Sequence, residues 1–377
     1  MRILLVADTL LTGGAELFLL RQYCYLKANK FSVYLFVTRP DKVDKRILQK
    51  FPTVCYISPS LTLIQLAALG DRLFQKIFKK SFFLDNLNKS KINSTLKKLK
   101  PDVIHSHLLQ ADYKVFLANR KKPVRHIITV HGDYVEHIKK NEPTFFNRII
   151  KVLSAVDRIV LISTEQQTIL NHFLPSINNK LIKIYNGYSL DKMPQKTVHE
   201  GFSFGMIARA LPEKGWEAAI LAFLKLNHPE SRLLLYGEGI YMDQLRRKYT
   251  DARILFKGFT NEPLHAIQEI DAGLFPSYYQ SESLPTTITE YLMMHKPVIT
   301  TNVGECAEMI RHENEYAGIV LELKNARPDV DELAAAMQRM LSDTGFYVQC
   351  SRVASEAKKK FGMENCMNKY LNVYHKK

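Results

Sequence analysis

Residues 281–301 read SESLPTTITEYLMMHKPVITT and hold two carboxylates, Glu282 and Glu290, on either side of a Leu-Pro pair. Proline fixes its own φ and pushes the preceding residue toward extended geometry, so a helix should begin at Pro285. Glu282 then lies in the loop before the helix, and Glu290 lies about one and a half turns inside it.

This predicted helix start is a candidate anion site. The N–H groups of Thr286, Thr287 and Ile288 would lack helical acceptors, and the helix dipole favours negative charge at this end. Because flanking carboxylates accept hydrogen bonds from hydroxyls, the pattern suits a phosphate that carries a sugar on each side. From this segment alone, an amphipathic helix with solvated acidic residues explains the pattern equally well.

Short apolar runs alternate with longer helical patterns, which is typical of parallel strands covered on both faces by helices. The expected strands of the first half are residues 3–7, 32–37, 54–57, 103–105, 126–130 and 159–162. Those of the second half are residues 202–207, 232–236, 254–256, 272–275, 297–300 and 318–320. Since residues 191–201 are polar and not periodic, we place a linker there and predict two doubly wound α/β domains, residues 1–195 and 196–362.

The composition bounds the class of protein. With 377 residues, 46% hydrophobic and 24% charged, the chain is long enough for two globular cores. It has no apolar run of membrane-spanning length and no signal-peptide pattern, so we expect a cytoplasmic location. Five scattered cysteines without a Cys-x-x-Cys pair indicate neither a disulfide framework nor a zinc site.

The net charge of +16 belongs to the first half of the chain. Residues 1–195 hold 31 Lys and Arg against 14 Asp and Glu, whereas residues 196–377 hold 22 against 23. Such asymmetry indicates an anionic partner for the first half, either a membrane surface or a nucleic acid, although a solvated basic face would also explain it.

A basic amphipathic segment begins at residue 61. Leucines and phenylalanines accompany Arg72, Lys76, Lys79 and Lys80, a composition that suits a membrane surface. A core-packed helix with an outer lysine face is the alternative interpretation. Nucleic-acid binding would need stacking aromatics or a recognition helix within this charge, and neither is clear.

Two cations follow the strand expected at residues 202–207. Arg209 and Lys214 could converge on one diphosphate, with a bidentate contact from Arg209 and a point charge from Lys214. Taken alone, two surface cations at a domain edge are the simpler interpretation.

In combination, these segments resemble the retaining, nucleotide-sugar-dependent glycosyltransferases of family 4, group 1, which have the GT-B fold and include bacterial lipopolysaccharide and capsule enzymes. The resemblance covers almost the whole chain. The most specific segment, residues 281–290, matches the Glu-x7-Glu element of the family. The other matching segments are residues 13–16, 101–107, 129–132, 185–187, 209 with 214–215, 237–239, 256–259 and 296–304.

The resemblance implies a role for each matching residue. Glu282 would hold hydroxyls of the transferred sugar, and His131 would lie beside the reacting carbon. The implied donor-binding residues are Gly14, Arg209, Lys214, Leu284, Pro285, Thr286, Thr287 and Glu290. Within that set, the two cations would bind the diphosphate, the glutamate would bind the ribose, and the glycine would allow close approach of the backbone.

The resemblance also implies the reaction. A hexose or N-acetylhexosamine would move with retention from a nucleotide-diphosphate sugar, UDP being favoured over GDP, to a glycan or lipid-linked acceptor at the inner membrane face. Two Rossmann-like domains would face a central crevice, and a last helix in residues 363–377 would cross back to the first domain. No cofactor or metal is implied, and Asp329 is expected to cap a helix rather than to belong to an Asp-x-Asp metal motif.

Two positions depart from the family pattern. His295 stands where a glycine commonly precedes Lys-Pro, and Glu305 replaces the second glycine of a common Gly-Gly. Three alternatives to a transferase are an epimerase or a phosphorylase on the same fold, and a non-catalytic basic protein that binds nucleic acid. The two enzyme alternatives do not need Arg209, Lys214, Glu282 and Glu290 in this arrangement.

Overall fold

The computed structural model describes residues 1–11, 13–78, 82–120, 123–189, 200–280 and 282–375, with the backbone alone for residues 73–78. These residues form two compact units. The first unit is Met1–Tyr188 together with Met363–Lys377, and the second is Ser189–Gly362. Most of the predicted linker lies outside the described residues.

The first unit is built on a seven-stranded sheet with the order β3-β2-β1-β4-β5-β6-β7, in which every neighbouring pair is parallel. Its strands are β1 (Arg2–Ala7), β2 (Ser32–Val37), β3 (Tyr56–Ile57), β4 (Val103–His107), β5 (Arg125–Val130), β6 (Arg158–Leu161) and β7 (Leu181–Lys183). The order reverses between β1 and β4, which is the point where ligands bind in doubly wound sheets.

In the described part of this unit, eight α-helices connect the strands. They are α1 (Gly14–Ala28), α2 (Lys45–Lys50), α3 (Leu61–Phe78), α4 (Phe83–Leu99), α5 (Leu109–Ala118), α6 (Asp133–Lys139), α7 (Pro143–Ala155) and α8 (Thr164–Phe173). Among the described residues, none of the helices has the length and apolarity needed to cross a membrane.

The second unit repeats the architecture with six parallel strands in the order β10-β9-β8-β11-β12-β15. These strands are β8 (Ser203–Ile207), β9 (Arg232–Tyr236), β10 (Ile254–Phe256), β11 (Ala272–Phe275), β12 (Val298–Thr301) and β15 (Gly318–Leu321). Two short antiparallel hairpins accompany them, β13 (Arg311–His312) with β14 (Glu315–Tyr316), and β16 (Leu323–Lys324) with β17 (Arg327–Pro328). The prediction of two doubly wound α/β domains is therefore confirmed.

The helices of the second unit lie between its strands and after them. They are α9 (Trp216–Leu224), α10 (Ile240–Lys248), α11 (Pro263–Gln268), α12 (Thr286–Met293), α13 (Cys306–Ile310), α14 (Val330–Ser342) and α15 (Thr344–Ala357). The carboxylate of Asp329 accepts from the N–H groups of Asp331 and Glu332, so this residue caps α14.

The last helix, α16 (Met363–His375), belongs to the first unit. Its Met367 and Tyr370 are buried in the same core as Ile3 of β1 and Phe18 of α1. The N–H of Met363 donates to the carbonyl of Tyr188 at 3.1 Å. The chain thus leaves the first unit near Tyr188, forms the second, and returns to complete the core of the first.

Candidate functional site

The Leu-Pro pair sets the start of α12. Pro285 is extended, with φ −65° and ψ 117°, and the helix begins at Thr286, one residue later than predicted. The Thr287 hydroxyl donates to the carbonyl of Ile207 at 3.1 Å, which ties the first helical turn to the carboxyl end of β8. Our expectation of a free N–H at Ile288 was wrong, because that group donates to the Pro285 carbonyl at 3.1 Å.

Lys214 and Glu282 form a buried ion pair, with exposed side-chain fractions of 7% and 10%. The Lys214 ammonium donates to Oε2 of Glu282, and the Ser277 hydroxyl lies 3.1 Å from the same oxygen. The ammonium nitrogen also lies 4.8 Å from the centre of the Tyr279 ring. Because the two opposite charges share a site of low dielectric, they attract each other strongly and offset the cost of burying each one.

A glycine turn positions this lysine. Gly215 has φ +82°, and a Cβ there would lie 2.0 Å from the carbonyl oxygen of Pro276, so only glycine fits. Trp216 then begins α9, and its indole N–H donates to the carbonyl of Arg209 at 3.0 Å. The same loop therefore carries both predicted cations, Lys214 buried and Arg209 exposed.

Glu290 is buried in α12, two residues before the buried Leu292. The neighbouring Tyr291 hydroxyl donates to the carbonyl of Gly205 in β8 at 2.9 Å, and burial raises the pKa of that phenol. The helix that carries Glu290 is thus fixed against β8, while Leu284 lies half-buried in the loop before it.

The segment after β12 packs against the loop of Glu282. Gly304 has φ +55°, and a Cβ there would lie 2.1 Å from the Glu282 carbonyl oxygen. The N–H of Glu305 donates to the carbonyl of Ser283 at 3.0 Å, and the Glu305 side chain is buried. The departure at Glu305 therefore lies directly beside the loop that carries a predicted sugar-binding carboxylate.

The second departure has a backbone cause. His295 follows α12 with φ +57°, a left-handed conformation that glycine adopts without strain. Its Nε2 lies 2.6 Å from Nζ of Lys358, and partial burial together with the Lys358 charge lowers the pKa of the imidazole. The left-handed backbone at position 295 explains why a glycine is common there in the family pattern.

In the first unit, histidines gather at the carboxyl ends of β4 and β5. His107 ends β4, His131 follows β5, and Nδ1 of His107 lies 2.9 Å from Nε2 of His131. The Phe18 ring of α1 contacts both imidazoles, with centroids 6.1 and 6.2 Å away. Gly14 is the exposed first residue of that same helix.

The backbone of His131 has its own support, which sequence reasoning missed. The Gln166 side-chain amide donates to the His131 carbonyl at 3.0 Å, and its Oε1 accepts from the Ile162 N–H at 2.9 Å. Burial lowers the pKa of His131 to about 3, so the imidazole is neutral at physiological pH. The spacing of His105 and His107 was the available signal for the cluster, since alternate strand residues share a face.

The helix α3 of the basic segment has an exposed apolar face, and the sequence alone did not indicate which side of the helix is exposed. Leu66 and Leu69 of α3 are 61% and 56% exposed, whereas Ile64 and Asp71 point inward. Arg72 is exposed, the side chain of Lys76 is not described, and Lys79 and Lys80 lie outside the described residues. A core-packed helix would have buried the leucines, so that alternative does not fit them.

Two doubly wound units in one chain are the architecture of the GT-B fold. The sequence model of the family described as glycosyl transferases group 1 matches residues 191–360. The sequence model of glycosyltransferase family 4 matches residues 12–192. The chain belongs to glycosyltransferase family 4, group 1.

Known proteins are similar at low identity. An uncharacterized glycosyltransferase of Methanocaldococcus jannaschii is 23% identical over 241 residues, which are 56% of this chain and 58% of that protein. HepE of Anabaena, crystallised with UDP, is 18% identical over 99% of both chains, with a TM-score of 0.76. The lipopolysaccharide outer core galactosyltransferase WaaB is 15% identical over 98% of this chain and 100% of that chain, with a TM-score of 0.68. At these identities the two solved structures show the GT-B fold.

Proposed function

We propose that this glycosyltransferase moves a hexose or N-acetylhexosamine, with retention, from a nucleotide-diphosphate sugar to a glycan or lipid-linked acceptor in bacterial surface polysaccharide synthesis. The observation that carries this proposal is the buried pair of Lys214 and Glu282 beside the start of α12. A pair of this kind offers a cation to a phosphate and a carboxylate to sugar hydroxyls at adjacent positions.

The second unit supplies the charges that a departing diphosphate needs. Arg209 and Lys214 contact the diphosphate, and the first turn of α12 after Leu284 and Pro285 adds the positive end of its dipole. Within the described chain, the N–H groups of Thr286 and Thr287 have no backbone or side-chain acceptor, so they remain available to phosphate oxygens.

Two carboxylates orient the donor. Glu290 accepts hydrogen bonds from the ribose hydroxyls, and Glu282 accepts them from the transferred sugar. Glu282 accepts a hydrogen bond from Lys214. The carboxylate that contacts the transferred sugar is therefore held beside the ammonium that contacts the leaving diphosphate. This coupling favours reaction when sugar and diphosphate are bound together.

The first unit contributes His131 and Gly14. His131 contacts the reacting sugar as a neutral imidazole, and the exposed backbone at Gly14 contacts the donor phosphates. In the reaction the bond from the anomeric carbon to the diphosphate oxygen breaks, its electron pair leaves with the nucleotide, and the acceptor oxygen bonds to that carbon as its hydroxyl proton is released.

We assign UDP as the favoured nucleotide, which the UDP complex of HepE supports by analogy. No metal is needed, because Arg209, Lys214 and the helix start supply the positive charge that a metal gives in other transferases. Activity should therefore persist in EDTA, and a complete loss that magnesium reverses would contradict this part of the proposal.

Release of the nucleotide from a panel of UDP- and GDP-sugars tests the reaction. The purified protein should release UDP slowly from at least one UDP-sugar, and Lys214→Ala should abolish that release. Lys225→Ala is the matched control, because Lys225 is an exposed lysine of the same unit that pairs with Asp331. A wild-type protein that releases no nucleotide from any sugar donor, and is stabilised by none of them, would contradict the proposal.

We also assign α3 to an anionic membrane surface, which would hold the protein at the inner face of the cell membrane near a lipid-linked acceptor. The exposed leucines of α3 form an apolar outer face next to the exposed Arg72, as in helices that lie in a membrane interface. Asp71 fixes this orientation, because its buried carboxylate accepts from the N–H groups of Phe82, Phe83 and Leu84.

Sedimentation with vesicles that contain phosphatidylglycerol tests this surface. Leu66→Ser combined with Leu69→Ser should reduce vesicle binding strongly and leave hydrolysis of the soluble donor unchanged. Ile240→Ser is the matched control, because Ile240 is 80% exposed in the second unit. Unchanged vesicle binding in the leucine variant would place the anionic partner elsewhere, and competition by an oligonucleotide would indicate nucleic acid.

A further inference from the structure

His131 has a neighbour that none of the assigned roles includes. Nδ1 of His107 lies 2.9 Å from Nε2 of His131, and the two rings are nearly parallel, 21° apart. Burial lowers the pKa of both imidazoles, so both are neutral. A neutral imidazole has one N–H and one acceptor nitrogen, so one of these two nitrogens must donate and the other must accept.

The surroundings of His107 decide the direction of this hydrogen bond. Its other nitrogen, Nε2, is buried and has no hydrogen-bond partner among the described residues. If His107 accepted at Nδ1, its proton would sit on Nε2 as a buried N–H without an acceptor. Buried N–H groups without an acceptor are rarer in folded proteins than buried acceptors without a donor. The unpartnered Nε2 therefore favours His107 as the donor, through Nδ1.

A second buried imidazole, that of His105, packs beside the His107 ring. The ring of His105 lies 4.3 Å from that of His107, centroid to centroid. Both nitrogens of His105 are occupied, Nδ1 at 2.7 Å from the Tyr374 hydroxyl and Nε2 at 2.8 Å from the Thr129 hydroxyl. Since Tyr374 belongs to α16, the last helix helps to hold the ring of His105, which packs beside that of His107.

We propose that His107 is a positioning residue that fixes His131 as the Nδ1–H tautomer. With Nε2 accepting from His107, the proton of His131 must lie on Nδ1, and this side chain offers its ligand an N–H donor rather than a base. The ligand group it suits is an acceptor oxygen, such as a hydroxyl of the transferred sugar. That assignment of the ligand rests on the proposed function, whereas the tautomer does not.

Nuclear magnetic resonance of the full chain with ¹⁵N-labelled histidine tests the tautomer directly. Long-range ¹H–¹⁵N correlations distinguish the two neutral forms, and the signals that disappear in His131→Ala identify His131. The wild-type protein should show the Nδ1–H form, and His107→Leu should lose that preference. His107→Asn, whose amide offers a donor near the position of Nδ1, should restore it. A wild-type Nε2–H form at His131 would overturn the proposal.

Hydrolysis of UDP-glucose gives a second readout. His107→Leu should lower kcat about tenfold with little change in KM, because one oriented hydrogen bond is lost. His107→Asn should recover most of that loss. The control is His126→Asn, another buried histidine, whose Nε2 lies 2.7 Å from the Ser106 hydroxyl and which should keep its kcat.

The two readouts separate the inference from the proposed function. If the wild-type protein shows the Nδ1–H form and His131→Ala still hydrolyses the donor at the full rate, His131 takes no part in the reaction. The tautomer assignment would then still hold. An unchanged tautomer and an unchanged kcat in His107→Leu would show that His107 positions nothing.

Discussion

Both units bury a pair of polar side chains near the carboxyl ends of their strands. The pair is neutral in the first unit and charged in the second. In the first, His107 and His131 are buried as neutral imidazoles that bond to each other. In the second, Lys214 and Glu282 are buried as an ion pair. Neutral polar groups need only hydrogen bonds to be buried, whereas a buried charge needs its partner. Damage to the second site should therefore be more severe.

The largest effect is expected from Lys214→Met. Removing the ammonium leaves Glu282 buried without its partner, which should lower the free energy of unfolding by about 3–5 kcal/mol. Nucleotide release should fall about a hundredfold or more. Urea unfolding and donor hydrolysis measure the two effects.

The double variant Lys214→Met with Glu282→Leu separates stability from activity. It should recover most of the stability but none of the activity, since the charges serve the ligand rather than the fold. Lys225→Met, which breaks an exposed pair, should change stability by less than about 1 kcal/mol. A single variant at Lys214 as stable as wild type would mean that the buried pair is not formed in solution.

Glu290→Gln should have the next largest effect, because it makes part of the charged site neutral with almost no change of shape. A hydrogen bond to a charged group contributes about 1.5–3 kcal/mol, so kcat/KM should fall roughly ten- to hundredfold. Steady-state kinetics at varied donor concentration measures this. Wild-type kinetics in this variant would remove Glu290 from the ribose site.

Acid should weaken the first unit before the second. Burial lowers the pKa of His126 and of His131 from 6.5 to about 3 in the folded protein, so unfolding takes up protons below pH 6.5. Their contribution is complete above pH 6.5 and falls with pH toward 3, by about 1.4 kcal/mol per pH unit for each histidine.

The single tryptophan makes this acid prediction measurable. Trp216 lies in the second unit, so its fluorescence follows that unit, whereas circular dichroism follows both. On acidification, the circular dichroism should change at a higher pH than the tryptophan fluorescence. In His126→Asn, the midpoint of urea unfolding followed by circular dichroism should depend less on pH. Coincident transitions with an unaltered pH dependence would contradict the prediction.

The smallest effect is expected at His295→Gly. Glycine relieves the left-handed strain at φ +57° but gains entropy in the unfolded chain and loses the contact to Lys358. The free energy of unfolding should change by less than about 1 kcal/mol, with unchanged kinetics. A loss of several kcal/mol would mean that the Lys358 contact is essential to the second unit.

Strands and helix starts were predictable because their signals are local. Each expected strand is present, and the Leu-Pro pair marked the start of α12 within one residue. The three-residue β7 and the two hairpins escaped prediction, because each of their strands contains a charged residue and none forms a continuous apolar run. Amphipathicity likewise located α3 without revealing that Asp71 points inward and Leu66 outward.

Partners in the sites were not predictable, since they depend on contacts between distant segments. Lys214 and Glu282 had been given separate ligands, and nothing local indicates that residues 68 positions apart share a hydrogen bond. The expectation of a free N–H at Ile288 was wrong for a local reason: the group donates to the Pro285 carbonyl and closes a tight turn.

The return of α16 to the first unit has a consequence for synthesis on the ribosome. Met367 and Tyr370 complete a core that also holds Ile3, yet the whole of Ser189–Gly362 must be translated before they emerge. At about 5–20 residues per second, this delay is on the order of ten to thirty seconds. The amino-terminal segment waits through that interval with part of its core uncovered, and it is then that a chaperone would have most to bind.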